Sequence, residues 1–234
     1  MQTPQEMTLA QRHSKILQRI QSHTKTGSVG EQKSAELIAV SKLQPITKIV
    51  EVHALGQQKF GENYAQELSE KAEALKDLDI YWVFIGHIQS NKIRKIVTYA
   101  REIQTVASLS HAKQIARHAK ELGKTPFPIM LEVNAGDEAS KSGVSMGAIK
   151  ALADQIAAEL PELQIRGLMA IPPDSFSDSN YASVPPLYRE LRALADTVGL
   201  GLLSLGMSSD LSIALDAGSD MVRIGTAVFG SRDS

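Results

Sequence analysis

The stretch LSLGMSSDLSIALDAGSDMVRIGTAVFG, Leu203 to Gly230, holds two short apolar runs, each followed at once by small and hydroxyl residues. Leu202–Gly206 and Met221–Gly225 read as strands, with GMSSD and IGT as the loops that leave them. Small residues in such loops let backbone N–H groups approach an anion, and Ser208 could start a helix whose N-terminus favours negative charge. A plain N-cap and a tight turn are the alternative for either loop alone.

Working outward, the same unit repeats. Further strands are expected at Leu37–Val40, Lys59–Glu62, Tyr81–Gly86, Ile103–Ala107, Pro128–Asn134 and Leu163–Ala170. LIAV, WVFI and IMLEV are continuous apolar runs, the mark of strands buried on both faces of a parallel sheet. Helical stripes fill the gaps: Tyr64, Leu68, Ala72 and Leu75; Ile149, Leu152, Ala153, Ile156 and Leu160; Leu187, Leu191, Leu194 and Val198. Eight alternations of strand and helix predict an α/β fold, a single (β/α)8 TIM-type barrel. A doubly wound open sheet is the runner-up. Such barrels run about 250 residues. The 234 residues therefore leave room for one domain, 1–234, with an extra N-terminal helix and linker over 1–30. That helix is marked by Leu9, His13, Ile16, Leu17 and Ile20 on one face, and the break by Gly27–Gly30. Ile171–Pro186, rich in Pro, Ser and Asp, reads as a mobile loop after the sixth strand.

Composition removes whole classes. The formal charge is −1, against the basic excess expected of a chain that coats nucleic acid. There is no cysteine, hence no disulfide, cysteine–zinc site, iron–sulfur cluster or thiol nucleophile. The N-terminus lacks an apolar h-region, and no run approaches the roughly 18 apolar residues of a membrane helix. A cytoplasmic monomer with no membrane or nucleic-acid partner is expected. No metal spacing, GxSxG elbow or Walker loop occurs. His111 and His118 are expected on a surface face, and Lys92, Arg94 and Lys95 on a solvated one.

Barrel enzymes place their chemistry at the C-terminal ends of the strands. Strand 1 ends in Val40-Ser41-Lys42, strand 2 in Glu62-Asn63-Tyr64, and strand 6 in Leu168-Met169-Ala170. Lys42 is either a lysine snorkelling on the rim or an amine whose pKa falls by desolvation, fit to form a Schiff base. Arg223 faces inward if Gly225 does, because strand side chains alternate. An inward guanidinium needs an acceptor, either a cofactor ring nitrogen or an ion pair with Glu62 or Glu132. Amine, phosphate cup and inward arginine together describe a pyridoxal phosphate (PLP) site. A phosphosugar-binding barrel is the cofactor-free alternative.

The residues AVSK at Ala39–Lys42, FGENY at Phe60–Tyr64, FIGHIQSNK at Phe84–Lys92 and KSG at Lys141–Gly143 carry a resemblance. RGLMAI at Arg166–Ile171, LSLGMSSD at Leu203–Asp210 and VRIGTAVFG at Val222–Gly230 extend it. Together they resemble the pyridoxal phosphate homeostasis proteins, barrels similar to the N-terminal domain of bacterial alanine racemase, from about Leu37 to Arg232. The resemblance implies a Schiff base on Lys42, phosphate on Ser208, Gly225 and Thr226 with the backbone of Ser209, Arg223 at the pyridine nitrogen, and Asn63 and Met169 beside the ring. It departs at Val83, where the family usually has His; here a histidine stands at His87 instead. It implies a role in intracellular PLP (vitamin B6) and amino-acid homeostasis, with apo-PLP enzymes as recipients. Facing an arginine, the ring nitrogen stays unprotonated and the ring is a weaker electron sink. Alanine racemases add a tyrosine base from a second domain, for which this chain has no room. Little or no turnover is therefore expected, with a slow racemase-type enzyme as the alternative.

Overall fold

The computed structural model describes residues 7–23, 25–26, 32–136, 142–173, 175–180 and 182–230. The expected break at Gly27–Gly30, together with Lys141 and Arg232, lies outside them.

Eight strands close a parallel barrel: β1 Glu36–Val40, β2 Lys59–Glu62, β3 Tyr81–Phe84, β4 Glu102–Val106, β5 Phe127–Asn134, β6 Leu163–Ala170, β7 Leu202–Ser204 and β8 Met221–Ile224. Each pairs in parallel with its neighbours in sequence, except that the β4–β5 ladder is broken by a register shift between Ile103 and Val106. Closure comes from β8 beside β1, with Arg223 opposite Ile38. The open-sheet alternative is thereby excluded. Strands 3, 7 and 8 end one or two residues earlier than expected. Ile85-Gly86, Leu205-Gly206 and Gly225 leave the ladder there and build the mouth of the barrel.

One glycine governs the contact between β6 and β7. Gly167 has φ +153°, and a Cβ on it would fall 1.8 Å from the Leu202 carbonyl oxygen. No other residue allows the two strands to approach there. It coincides with a one-residue register shift between β5 and β6, so the bulge re-aims Met169 into the barrel.

The connecting helices are α1 Leu9–Ser22, α2 Ile46–Ala54, α3 Ala65–Ala74, α4 Ile93–Tyr99, α5 Leu109–Glu121, α6 Ile149–Glu159, α7 Pro186–Ala195, α8 Leu211–Asp216 and α9 Thr226–Phe229. Helix α1 begins with a capping box between Thr8 and Gln11. It buries Ile16 and Ile20, each worth roughly 1.5–3 kcal/mol when removed from water. His13 is buried with them and lies 3.2 Å from Gln57 Oε1, while Gln57 Nε2 donates to the Leu37 and Lys59 carbonyls. The helix is thus fastened across the starts of β1 and β2. Two sequence expectations are corrected. His118 is buried, with Nδ1 3.0 Å from Glu121 Oε2, not on a surface face. The α7 stripe is led by Tyr188, fully buried, while Leu187 is only partly so. No helix among the described residues is long and apolar enough to cross a membrane.

Candidate functional site

Lys42 follows β1 on a segment held from outside the barrel. The Ser41 amide donates to the Gly61 carbonyl at 3.0 Å, and its hydroxyl donates to Glu62 Oε1 at 2.6 Å. Lys71, from α3, donates through Nζ to the Ser41 carbonyl, Glu62 Oε1 and Glu67 Oε1, all within 2.6–2.7 Å. Glu67 Oε1 in turn accepts the Leu43 amide at 2.6 Å. Leu43 has φ +60°, a conformation that costs a non-glycine residue about 1–2 kcal/mol. The chain therefore kinks sharply after Lys42, and a buried cation with two carboxylates fixes the kink on both sides. Burial pushes the Glu62 carboxyl up to about 7, although Lys71 and Ser41 pull it down. Its Oε2, and that of Glu67, has no hydrogen-bond partner among the described residues. Lys71 was missed in the sequence. Its signal was position, three residues after Leu68 and four before Leu75 on an otherwise apolar stripe.

The adjoining wall is built from the loops after β7 and β8, the strands next to β1 around the barrel. Asp210 is buried and pins the first loop at its base: Oδ1 accepts the Met207 amide at 2.7 Å, and Oδ2 accepts the Tyr188 hydroxyl at 2.7 Å. Burial beside Asp210 pushes the Tyr188 phenol well above its ordinary range. Ser208 and Ser209 are left exposed at the tip, and their amides donate to no carbonyl or side chain among the described residues. Ser208 does not start a helix, contrary to the sequence expectation. Helix α8 begins at Leu211, and Asp178 caps it by accepting the Ser212 and Ile213 amides at 3.0–3.2 Å. The Asp178 amide also donates to the Ser209 carbonyl at 2.8 Å, and Arg19 pairs with its carboxylate at 2.8 Å. The segment expected to be a mobile loop is thus tied down at Asp178.

Arg223 points inward from β8, as strand alternation requires. It pairs with neither Glu62, which faces Lys71 outside the barrel, nor Glu132. Nη1 donates to the Ser204 carbonyl and hydroxyl, and Nη2 donates to the Ala170 carbonyl, each at 2.8 Å. Burial pulls the guanidinium down to about 10, partly countered by Asp210 and Glu132, so it stays charged at neutral pH. The same burial pushes Glu132 up to about 7.

These parts converge on one cavity of about 350 Å³, lined by Val40, Lys42, Asn63, Ile85, Ile171, Met207, Ser208, Ser209, Arg223, Gly225 and Thr226. Its size is that of a small-ligand pocket. Met169 does not line it. That side chain is fully buried in the barrel interior with Ile38, Val83, Met130 and Met221. Val83 therefore fills apolar space, and His87 is exposed outside the cavity, 3.2 Å from Ser142 Oγ. Of the lining, Val40 and Ile85 were legible as the inward neighbours, by alternation, of Lys42 and Val83. A larger hollow, about 840 Å³, runs along α1, but a single helix and the residues just before it line it and no charged groups converge there.

The residues present suit an aldehyde-bearing phosphate ester. The lining brings together one amine, Lys42, and the exposed hydroxyls and unspent amides of the β7 and β8 loops. In the same lining, Asn63 Oδ1 is buried without a partner among the described residues.

Comparison with known proteins agrees. The family model for the alanine racemase N-terminal domain matches residues 17–233. A pyridoxal phosphate homeostasis protein of Pseudomonas aeruginosa is 40% identical over 228 residues, covering 97% of this chain and 96% of that one. The solved structure of PipY from Synechococcus elongatus with PLP bound matches with a TM-score of 0.79 and 32% identity, over 95% of this chain and 100% of that chain. Alanine racemase from E. faecalis shares the fold, with a TM-score of 0.70 at 14% identity, over 95% of this chain and 57% of the racemase.

Proposed function

The chain belongs to the alanine racemase N-terminal-domain family, among its pyridoxal phosphate homeostasis proteins, and from that premise we propose that it holds pyridoxal 5'-phosphate at the mouth of its barrel. When bound, the cofactor supplies an aldehyde that condenses with a primary amine, releasing water. Lys42 is that amine and holds the cofactor as a Schiff base. The amides of Ser208 and Ser209, with Gly225 and Thr226, receive the phosphate. Arg223 donates to the pyridine nitrogen, and Asn63 flanks the ring. The observation that carries the reading is the convergence of Lys42, Arg223 and both small-residue loops on a single cavity.

Carriage rather than turnover follows from the lining. Its only titratable side chains among the described residues are Lys42 and Arg223. A permanently charged arginine keeps the ring nitrogen unprotonated, which weakens the ring as an electron sink. With no second acid or base, Lys42 alone would have to serve both faces of a substrate. The protein then stores PLP and passes it to apo-enzymes inside the cell, and so influences amino-acid balance. The test is the absorbance of the purified protein with PLP, followed by incubation with a panel of L-amino acids. An imine band with negligible racemisation is expected. Rapid racemisation that depends on Lys42 would make it an enzyme instead.

A further inference from the structure

The barrel interior is divided lengthwise. Ile38, Val83, Met130, Met169 and Met221 pack as an apolar plug. Beside them runs an unbroken line of polar side chains from the N-terminal rim to the cavity. Arg166 pairs with Glu102 at the rim. Gln104 Nε2 donates to Glu102 Oε1 at 2.8 Å, and the Ser204 hydroxyl donates to Gln104 Oε1 at 2.8 Å. Arg223 Nη1 donates to the Ser204 hydroxyl oxygen at 2.8 Å. Glu102, Gln104, Ser204 and Arg223 are all 4% exposed or less.

A barrel of this kind can be filled with branched apolar residues, and buried polar groups are costly unless each is paired. The order of donors and acceptors shows what the line does. Arg166 only donates and an ionised Glu102 only accepts, so the Gln104 amide must turn its NH2 to Glu102 and its oxygen to Ser204. The Ser204 hydrogen is then spent on Gln104, and its lone pairs face Arg223. Reversing the amide would set two oxygens against each other at Glu102. It would also aim the Ser204 hydrogen at a guanidinium that can only donate. Asp210 and Glu132, the other charges acting on Arg223, attract it without a hydrogen bond.

We propose that Gln104 and Ser204 are positioning residues for Arg223: Glu102 sets the direction of the Gln104 amide, which locks the Ser204 hydroxyl as an acceptor and holds the guanidinium's remaining donors toward the cavity. This rests on the reading of the cavity as a PLP site with Arg223 at the ring nitrogen.

The test is a double-mutant cycle on the PLP-loaded protein with Ser204→Ala, Gln104→Leu, both together, and Ser204→Thr. PLP dissociation constant, imine absorbance maximum and melting temperature are read for each. The 15N relaxation of the Arg223 side chain is measured in the same proteins without PLP. Each single change is expected to weaken PLP binding by about threefold to tenfold, with a shift of the band. The double variant should be no weaker than the worse single, because Gln104 acts through Ser204. Ser204→Thr, which keeps the hydroxyl, should stay within about twofold of wild type. Arg223 should become more mobile in both single variants. Additive losses, or lower melting temperatures with unchanged affinity, band and Arg223 mobility, would overturn the proposal. A wild-type protein with no imine band would remove the PLP reading instead, and the Arg223 relaxation would then decide alone. Gln104→Met replaces Gln104→Leu if the latter does not fold.

Discussion

The two walls of the cavity are secured in opposite ways. On the Lys42 side, a buried lysine, the buried Glu62 and the partly buried Glu67 grip the backbone from behind, and the chain is forced into a left-handed turn at Leu43. On the side of the β7 and β8 loops only the base is gripped, by Asp210, Tyr188 and Asp178, and the tip keeps its donors unspent. The difference fits what the proposed reading asks of each wall. A covalent anchor needs one amine in one place, and strong buried pairing supplies rigidity. An anion cradle needs free donors, so its polar groups must be satisfied below the tip and left open at it.

The largest expected effect breaks the first wall. Lys71→Met strands Glu62 and Glu67 without their cation. By analogy with other severed buried ion pairs it should cost about 3–5 kcal/mol, read by denaturant unfolding. A loss under about 1 kcal/mol would mean that the clamp is dispensable.

Glu132 gives the next, and its sign can be worked out. Its folded carboxyl titrates at about 7, above the ordinary glutamate value of 4.5, so the folded state holds a proton that the unfolded chain has released. Its contribution is therefore fully present below the unfolded pKa and is lost as pH rises through about 7. Glu132→Gln should be more stable than wild type at pH 8, by roughly 1–3 kcal/mol, with the gap closing toward pH 5. A gap that does not change with pH would contradict this.

The phosphate wall should respond in affinity rather than in stability. Thr226→Val is expected to weaken PLP binding by about 1–2 kcal/mol and leave the unfolding midpoint almost unchanged. An unfolding shift as large as the affinity loss would erase the contrast between the walls. The smallest effect sharpens it: Leu43→Gly removes the left-handed strain at a cost in unfolded-chain entropy, for a net gain of about 0.5 kcal/mol.

How far the sequence could be read follows the same contrast. The barrel was legible because LIAV, WVFI and IMLEV are local patterns. Ser208, Ser209, Gly225 and Thr226 were legible as residues of the barrel mouth because sites of this fold gather in the loops after its last two strands. What escaped depends on distant partners. Gln104 sits in the run EIQTV, which reads only as strand until barrel closure brings Ser204, 100 residues away, to its oxygen. Tyr188 lies one position from the expected stripe because its hydroxyl is held by Asp210 across a loop. Lys71 escaped because its partners, Glu62 on β2 and the Ser41 carbonyl after β1, meet it only in the folded barrel. Met169 carried the ring-facing role by family resemblance, while the bulge at Gly167 turns it into the barrel interior below the cavity.

Borohydride reduction of the PLP-incubated protein, followed by peptide mapping, tests the central claim most directly. A stable pyridoxyl phosphate adduct is expected on the peptide containing Lys42, absent from Lys42→Ala. An adduct on another lysine, such as Lys92 in the neighbouring cleft, or no adduct at all, would contradict it.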